Sequence, residues 1–333
     1  MTGSTRRQAQ DRPGSGPAAA VRPGQVSWQV AVAQPDRLGE SPFWHPHERL
    51  LYWVDIPAMQ LRRCDTAGGA VESWAMPAEP GCIAPAASGG LVIALRDGIY
   101  RAPAWGGALR RIARFNHDVR TTRFNDGKAD PVGRLWAGTM YEPRDARKAE
   151  LYSVDCRPAN GSGGQPVIQL KAQNAVIANG LAWSPDRKTV YWSDTPHHVI
   201  QAWDWDAASN VMGRHRIFRQ FPGKPPGWLA GEPGYGGRPD GAGVDSQGHY
   251  WCAMFEGGRL LKLSAAGELL ADLPVPAVCP TMPCFGGDDL RTLYLTSASD
   301  KRPAAELANY PHSGCVFSAR VEVAGLPVNF FID

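Results

Sequence analysis

An oxygen-bearing residue standing a fixed distance ahead of a tryptophan recurs four times in this chain, and that repetition constrains the fold more than any figure of composition. Asn125 lies 11 positions before Trp136, and Asp240 lies 11 before Trp251. Glu40 lies 13 before Trp53, and Asn179 lies 13 before Trp192. In each case a short run opens on the polar residue, a turn follows, and a second apolar run carries the tryptophan. Asp130 to Gly133 is such a turn, and two short runs joined this way form an antiparallel hairpin. The sequence places the two-residue difference in the turns, with 45–48 and 184–188 as the longer ones.

Each hairpin grows into a meander. The first unit reads as runs over 38–44, 49–56, 60–64 and 71–76, and the second extends from Gly81 to about Phe115. The third opens at Arg123, the fourth at Asn179 and the fifth after Asp240. The sixth uses 281–285, 291–296 and 314–319. Six units of roughly 40 to 60 residues predict an all-β, six-bladed β-propeller. The 37 glycines, 29 prolines and 12 tryptophans suit many short strands joined by many turns. In a circular array, Glu40, Asn125, Asn179 and Asp240 would stand at equal height on a ring around the axis. Four convergent oxygen donors suit a hard divalent cation, so a central metal site is expected. Blades two and six bring Gly81-Cys82 and Thr281-Met282 to that height, which are poor donors. The Gly/Pro-rich loop 223–238 is long enough to form a lid over one mouth.

Charge narrows the partners. Residues 1–25 hold Arg6, Arg7, Arg12 and Arg22 against Asp11, which is the whole net charge of +3, and the rest of the chain balances. A neutral body gives no phosphate-backbone footprint, so no nucleic-acid partner is expected. The opening segment reads as a disordered tail, leaving residues 26–333 for the propeller. No run is long enough for a transmembrane helix, so no membrane partner is expected and the cytoplasm is the expected location. Seven scattered cysteines without C-x-x-C spacing argue against both a disulfide framework and a zinc-thiolate centre; Cys279 and Cys284 are the pair nearest the channel. His45, His47, His197 and His198 read as exposed turn residues, and Lys128 and Asp130 as residues that finish a hairpin turn. The tryptophans and tyrosines of the second strands read first as core.

The segments Glu40-Ser41-Pro42, Arg123-Phe124-Asn125-Asp126-Gly127-Lys128, Gly138-Thr139-Met140, Asn179-Gly180-Leu181 and Pro239-Asp240-Gly241 resemble, in order, those of the SMP-30/gluconolactonase/LRE-like family. The resemblance runs over nearly all of the chain after the tail. It implies a six-bladed propeller that holds one divalent metal (Ca, Zn, Mn, Mg or Fe) in its channel and hydrolyses sugar lactones. By motif, Glu40, Asn179 and Asp240 carry over as metal ligands, and Arg123 and Asn125 as substrate contacts. Where the family often has an acidic pair after Gly-Thr-Met, this chain has Tyr141-Glu142-Pro143, so Glu142 is the one carboxylate left as a candidate substrate contact.

The chemistry of these residue types agrees with that role. A cation polarises a lactone carbonyl and makes its bound water a stronger nucleophile. Asp240 is the candidate general base, and Arg123 the group that steadies the developing oxyanion. Asn125 shares the offset of Asp240 and remains open as ligand or substrate contact. For Arg123 the plainer reading is an ion pair with Asp126 or Asp130. A non-catalytic propeller that binds through its loops, and an esterase acting on other esters, are the rivals to a sugar lactonase acting on a small aldonolactone. The oligomeric state stays open.

Overall fold

A computed structural model describes residues 26–158, 161 and 165–333; the tail expected over 1–25 lies outside the described residues. The strand β1 (Gln29–Val32) is followed by β2 (Gly39–His45), β3 (Leu50–Asp55), β4 (Gln60–Cys64) and β5 (Glu72–Ala75), which form the first blade in that order. Blade two is β6 (Pro80–Pro85), β7 (Leu91–Leu95), β8 (Gly98–Ala102) and β9 (Arg110–Arg114). Blade three is β10 (Thr122–Ala129), β11 (Leu135–Tyr141), β12 (Ala149–Asp155) and β13 (Val167–Ala175). Blade four is β14 (Ala178–Trp183), β15 (Thr189–Asp194), β16 (Val199–Asp206) and β17 (Val211–Gln220). Blade five is β18 (Arg238–Val244), β19 (Tyr250–Phe255), β20 (Arg259–Leu263) and β21 (Leu269–Pro274). Blade six is β22 (Pro280–Gly286), β23 (Thr292–Ser297) and β24 (Val316–Arg320), with β1 as its outermost strand. The expected six-bladed all-β propeller is what forms. The sequence reading gave no role to residues 29–32, yet they close the ring by pairing the start of the chain to its last blade.

Each inner strand packs against the inner strands on both sides, running from β2 through β6, β10, β14, β18 and β22 and back to β2. These strands are buried on both faces, whereas the outermost β5, β13, β17 and β21 are largely exposed. Their sequences differ to match: near-continuous burial inside, mixed polarity outside. The second-strand tryptophans Trp53, Trp136 and Trp192 are core, as expected, and each is almost wholly removed from water. Aspartates anchor three such indoles: Asp36 accepts from Trp53 at 2.7 Å, Asp130 from Trp136 at 3.0 Å and Asp245 from Trp251 at 3.0 Å.

Strand register corrects the ring argument. All six inner strands carry a bulge near their start. In β2 and β14 the last paired residue before the bulge is Glu40 or Asn179; in β10 and β18 it is Phe124 or Pro239, so Asn125 and Asp240 are the first residues inside the bulge. The four donors therefore come from two adjacent register positions, not one. A bulge sets two residues against one across the ladder and re-aims their side chains, so both positions can serve the channel. The turns also differ in the sense opposite to the one expected. Past the bulge, Phe43 pairs with Tyr52 and Ala182 with Tyr191, nine residues apart, whereas Gly127 pairs with Ala137 and Ala242 with Cys252, ten apart. The longer offset in blades one and four arises because Trp53 and Trp192 sit two places further along their strands and their donors one place earlier.

Candidate active site

Five of the named residues converge at the bulged end of the channel. Arg123, Asn125, Asn179, Glu40 and Asp240 are all between 2 and 7% exposed. Asn125 Nδ2 donates to Asn179 Oδ1 at 2.9 Å and to the Ala178 carbonyl at 2.9 Å. Arg123 Nη1 donates to Asn125 Oδ1 at 2.8 Å and to Phe124 O at 2.8 Å, which joins the Arg-x-Asn pair into one unit. The ion pair with Asp126 or Asp130 considered for Arg123 is not formed. Its nearest carboxylate is Glu142, whose Oε1 lies 3.7 Å from Nε.

Glu142 is thus brought to the edge of the site, but it is already held. Arg96 grips it with both Nη atoms at 2.9 and 3.1 Å and takes Glu79 with Nε and Nη2 at 2.8 and 2.9 Å. Sequence reasoning missed Arg96, because nothing near it in the chain announces this contact. Thr195 was missed as well: it accepts from Asn179 Nδ2 at 2.8 Å and donates to Pro239 O at 2.8 Å. That relay fixes the Asn179 amide with its oxygen toward the ring, and ties it to the residue preceding Asp240.

Backbone conformation shapes the blade-one and blade-four positions. Ser41, directly after Glu40, has φ 50°, and Gly180, directly after Asn179, has φ 63°. A side chain on Gly180 would meet Ser193 Oγ at 2.3 Å and Tyr250 Oη at 2.4 Å, so only glycine fits there. Ser41 accepts the same left-handed backbone and uses its hydroxyl to take the Ile83 N–H at 3.0 Å.

Electrostatics single out the two acids. Burial, then repulsion from Asp240 and Asp126, holds the Glu40 carboxyl well above its ordinary range. Burial pushes Asp240 up to about 8; Arg238 and Arg123 pull it back and Asp126 adds to the rise. Among the described residues, Glu40 takes one hydrogen bond, from the Ser41 N–H at 3.3 Å, and the Asp240 carboxylate takes none. Two desolvated carboxylates facing one another with spare lone pairs, beside a fixed amide oxygen, fit a hard divalent cation that would cancel their repulsion. Among the described residues no three His, Cys, Asp or Glu side chains form a metal-binding group, so any cation here would take amide oxygen as well as carboxylate.

The neighbouring residues were read less well. Lys128 does not finish a turn: it is half-buried in the channel wall, and Nζ donates to Ala242 O on the facing strand. Asp130 does cap its turn, accepting from the Val132 and Arg134 N–H groups at 2.9 and 3.0 Å. His45 and His198 are buried, not exposed, and His198 Nε2 lies 2.6 Å from Tyr235 Oη. Tyr235 belongs to the long loop ahead of β18. That loop is pinned to the rim by Lys224 on Glu256 at 2.6 Å and by Gly236 O on Arg259 Nε at 2.8 Å.

The model of the SMP-30/Gluconolactonase/LRE-like region matches residues 38–299. A 6-deoxy-6-sulfogluconolactonase of Pseudomonas putida is 44% identical over 297 residues, spanning 89% of this chain and 96% of that protein. A pentonolactonase of Haloferax volcanii is 34% identical over 264 residues, spanning 79% of this chain and 82% of that one. Among solved structures, a calcium-binding protein, regucalcin, from Agrobacterium tumefaciens aligns with a TM-score of 0.82 at 26% identity, covering 92% of this chain and 98% of its own.

Proposed function

This chain belongs to the SMP-30/gluconolactonase/LRE-like family, and from that membership and the channel site we propose that it is a metal-dependent lactonase that opens the ring of a five- or six-carbon aldonolactone. The observation that carries the reading is the meeting of two buried carboxylates, Glu40 and Asp240, with the Asn179 amide beside the linked Arg123–Asn125 pair. A passive scaffold has no use for uncompensated acids at such a place. The lactonase and pentonolactonase relatives support the substrate class.

In this reading Glu40, Asn179 and Asp240 hold the cation. When bound, the cation supplies Lewis-acid polarisation of the carbonyl and lowers the pKa of water. Asp240 takes a proton from water as the water oxygen bonds to the carbonyl carbon, then gives one to the ring oxygen as the C–O bond breaks. Arg123 steadies the charge that develops on the carbonyl oxygen. Asn125 and Glu142 orient hydroxyls, with Asn125 also placed to support Asn179. Seven free cysteines support a cytoplasmic location. Among the described residues, no helix is long and apolar enough to cross a membrane.

Metal analysis of the purified protein together with a panel of gluconolactone, pentonolactones and aryl esters tests this. Lactone opening that falls on chelation and returns with a divalent cation is the expected result. Full turnover by metal-free protein, or hydrolysis of aryl esters alone, would overturn it.

A further inference from the structure

Beyond the bulges, the six inner strands surround a second space that the lactonase reading leaves unused. Residues of β2, β6, β10, β14, β18 and β22, together with Leu326 to Asn329 of the C-terminal segment, line a cavity of about 210 Å³. Its walls are largely aromatic, for Phe43, Trp44, Trp183 and Phe285 all line it and all are buried. An engineered apolar cavity of about 150 Å³ takes benzene, so this one has room for a single substituted ring.

The charge of the lining has one sign. Lys128 and Arg187 both line the cavity, and among the described residues no Asp or Glu does. Lys128 is half-buried within β10, while Arg187 is exposed in the turn between β14 and β15. Among the described residues neither forms an ion pair, and the Arg187 guanidinium makes no hydrogen bond. Lys128 gives one N–H to the Ala242 carbonyl, which leaves it two. Asp126, two residues earlier on β10, accepts from the Leu181 N–H at 2.9 Å and is not a lining residue. A further donor is idle. Trp53, Trp136 and Trp251 each give their indole N–H to an aspartate, whereas the Trp183 N–H is buried with no acceptor among the described residues. Buried donors are ordinarily paired, and leaving one unmet costs stability. Spare donors set in aromatic walls, with no acid among them, suit an anion that carries an apolar body.

We propose that this cavity is a second ligand site, separate from the candidate active site, that takes a small aromatic carboxylate with its ring among the aromatic walls and its carboxylate on Lys128. Ring contacts supply the apolar part of the affinity, and the charge-assisted hydrogen bond to the ammonium selects the acid over its neutral relatives. Arg187, on the solvent side, adds long-range attraction for the same charge. The site stands whether or not the protein opens lactones.

Calorimetry on the full chain with phenylacetate, phenylacetamide and acetate tests it. Phenylacetate should bind about tenfold or more tighter than either of the others. Its affinity should be the same with and without added divalent cation and in Asp240→Asn, since a carboxylate held by a cation between Glu40 and Asp240 would depend on both. Lys128→Met should bring phenylacetate down to the level of the amide. Arg187→Gln, in an exposed turn where folding is not at stake, should weaken phenylacetate about two- to threefold and leave the amide unchanged. Absence of phenylacetate binding, equal affinity for acid and amide, equal affinity for phenylacetate and acetate, or binding that requires the cation would each refute the site. If Lys128→Met does not fold, Arg187→Gln decides: a narrowed difference between acid and amide supports the site, and an unchanged one refutes it.

Discussion

At one end of the channel the inner strands present Glu40, Arg123, Asn125, Asn179 and Asp240. Only a few residues further along, the same strands present Phe43, Ile83, Trp183 and Phe285 around a cavity of about 210 Å³ that Leu326 to Asn329 also line. The polar end lies where the bulges break the ladder and where loops such as the one before β18 add side chains from above. At the other end regular pairing has resumed, and the chain's last residues seal it. Ala87 N donates to Phe331 O at 2.8 Å, Phe331 N to Pro85 O at 2.8 Å, and Ile332 N to Gly133 O at 2.9 Å. Lys128 is a half-buried cation between the two, with desolvation holding its ammonium below the ordinary range and Asp126 pulling it back. The contrast locates chemistry by backbone geometry: a bulge turns neighbouring residues toward the axis, while an unbroken strand returns apolar side chains to packing. The apolar cavity is therefore not where the candidate reactive groups gather.

If the two ends are as separate as this, variants should divide cleanly between loss of metal and turnover and loss of stability. The largest effects belong to the ring. Glu40→Gln, Asn179→Ala and Asp240→Asn should each lose bound metal and lower turnover together, on the order of 10³-fold for the two acids. Metal stoichiometry and lactone kinetics read both, and full metal occupancy in any two of the three would sink the ligand assignment. Next, Phe331→Ala at the sealed end removes a side chain with no exposed surface. It should cost about 3 to 5 kcal/mol of folding stability by denaturant titration, with kcat/KM of the folded fraction unchanged.

A finer cut divides the ring itself. Arg123→Ala and Asn125→Ala should keep metal while losing roughly 1 to 3 kcal/mol of transition-state stabilisation each in kcat/KM. Because Asn125 Nδ2 holds Asn179 Oδ1 at 2.9 Å, metal loss in Asn125→Ala would move it into the ligand set. Unchanged kinetics in Arg123→Ala would return that residue to structural duty with Phe124 O and Met140 Sδ.

The spacing of polar residue to tryptophan was enough to read four hairpins and the convergence of their donors, and the run of short strands and turns to read six blades, since both follow from period and turn chemistry. It misread why the spacings differ, because a bulge adds a residue inside a strand and leaves the local sequence pattern unmarked. The closing strand at Gln29–Val32 escaped notice for a related reason: its partner, Val316–Arg320, lies at the opposite end of the chain. Thr195 and Arg96 join the site through contacts made only after the ring closes. The rim charges were hidden by an overall balance, because Lys224 and Arg238 stand at the two ends of one long loop and Arg302 lies beyond the last-blade strand β23. Burial of His45 and His198, and partial burial of Lys128, likewise depends on what packs over them, which local sequence does not state.

The smallest expected effect makes the most sensitive check on whether the two ends are independent. Asn329 Nδ2 donates to Ala129 O at 3.0 Å, tying the sealing segment to the last residue of β10. Ala129 shares that strand with Arg123 and Asn125, so this bond is a direct path from the sealed end to the candidate site. Asn329→Ala removes one partly buried hydrogen bond and little apolar contact, and should cost about 0.5 to 1.5 kcal/mol of stability. Between Asn125 and Ala129 lies the bulge, which breaks the regular ladder and should absorb a small shift of the strand end. Metal occupancy and kcat/KM should therefore match wild type at a temperature where both proteins are fully folded. A kcat/KM that drops several-fold at unchanged metal content would show that strand position is transmitted through the bulge, and that the sealed end helps set the geometry of Arg123 and Asn125.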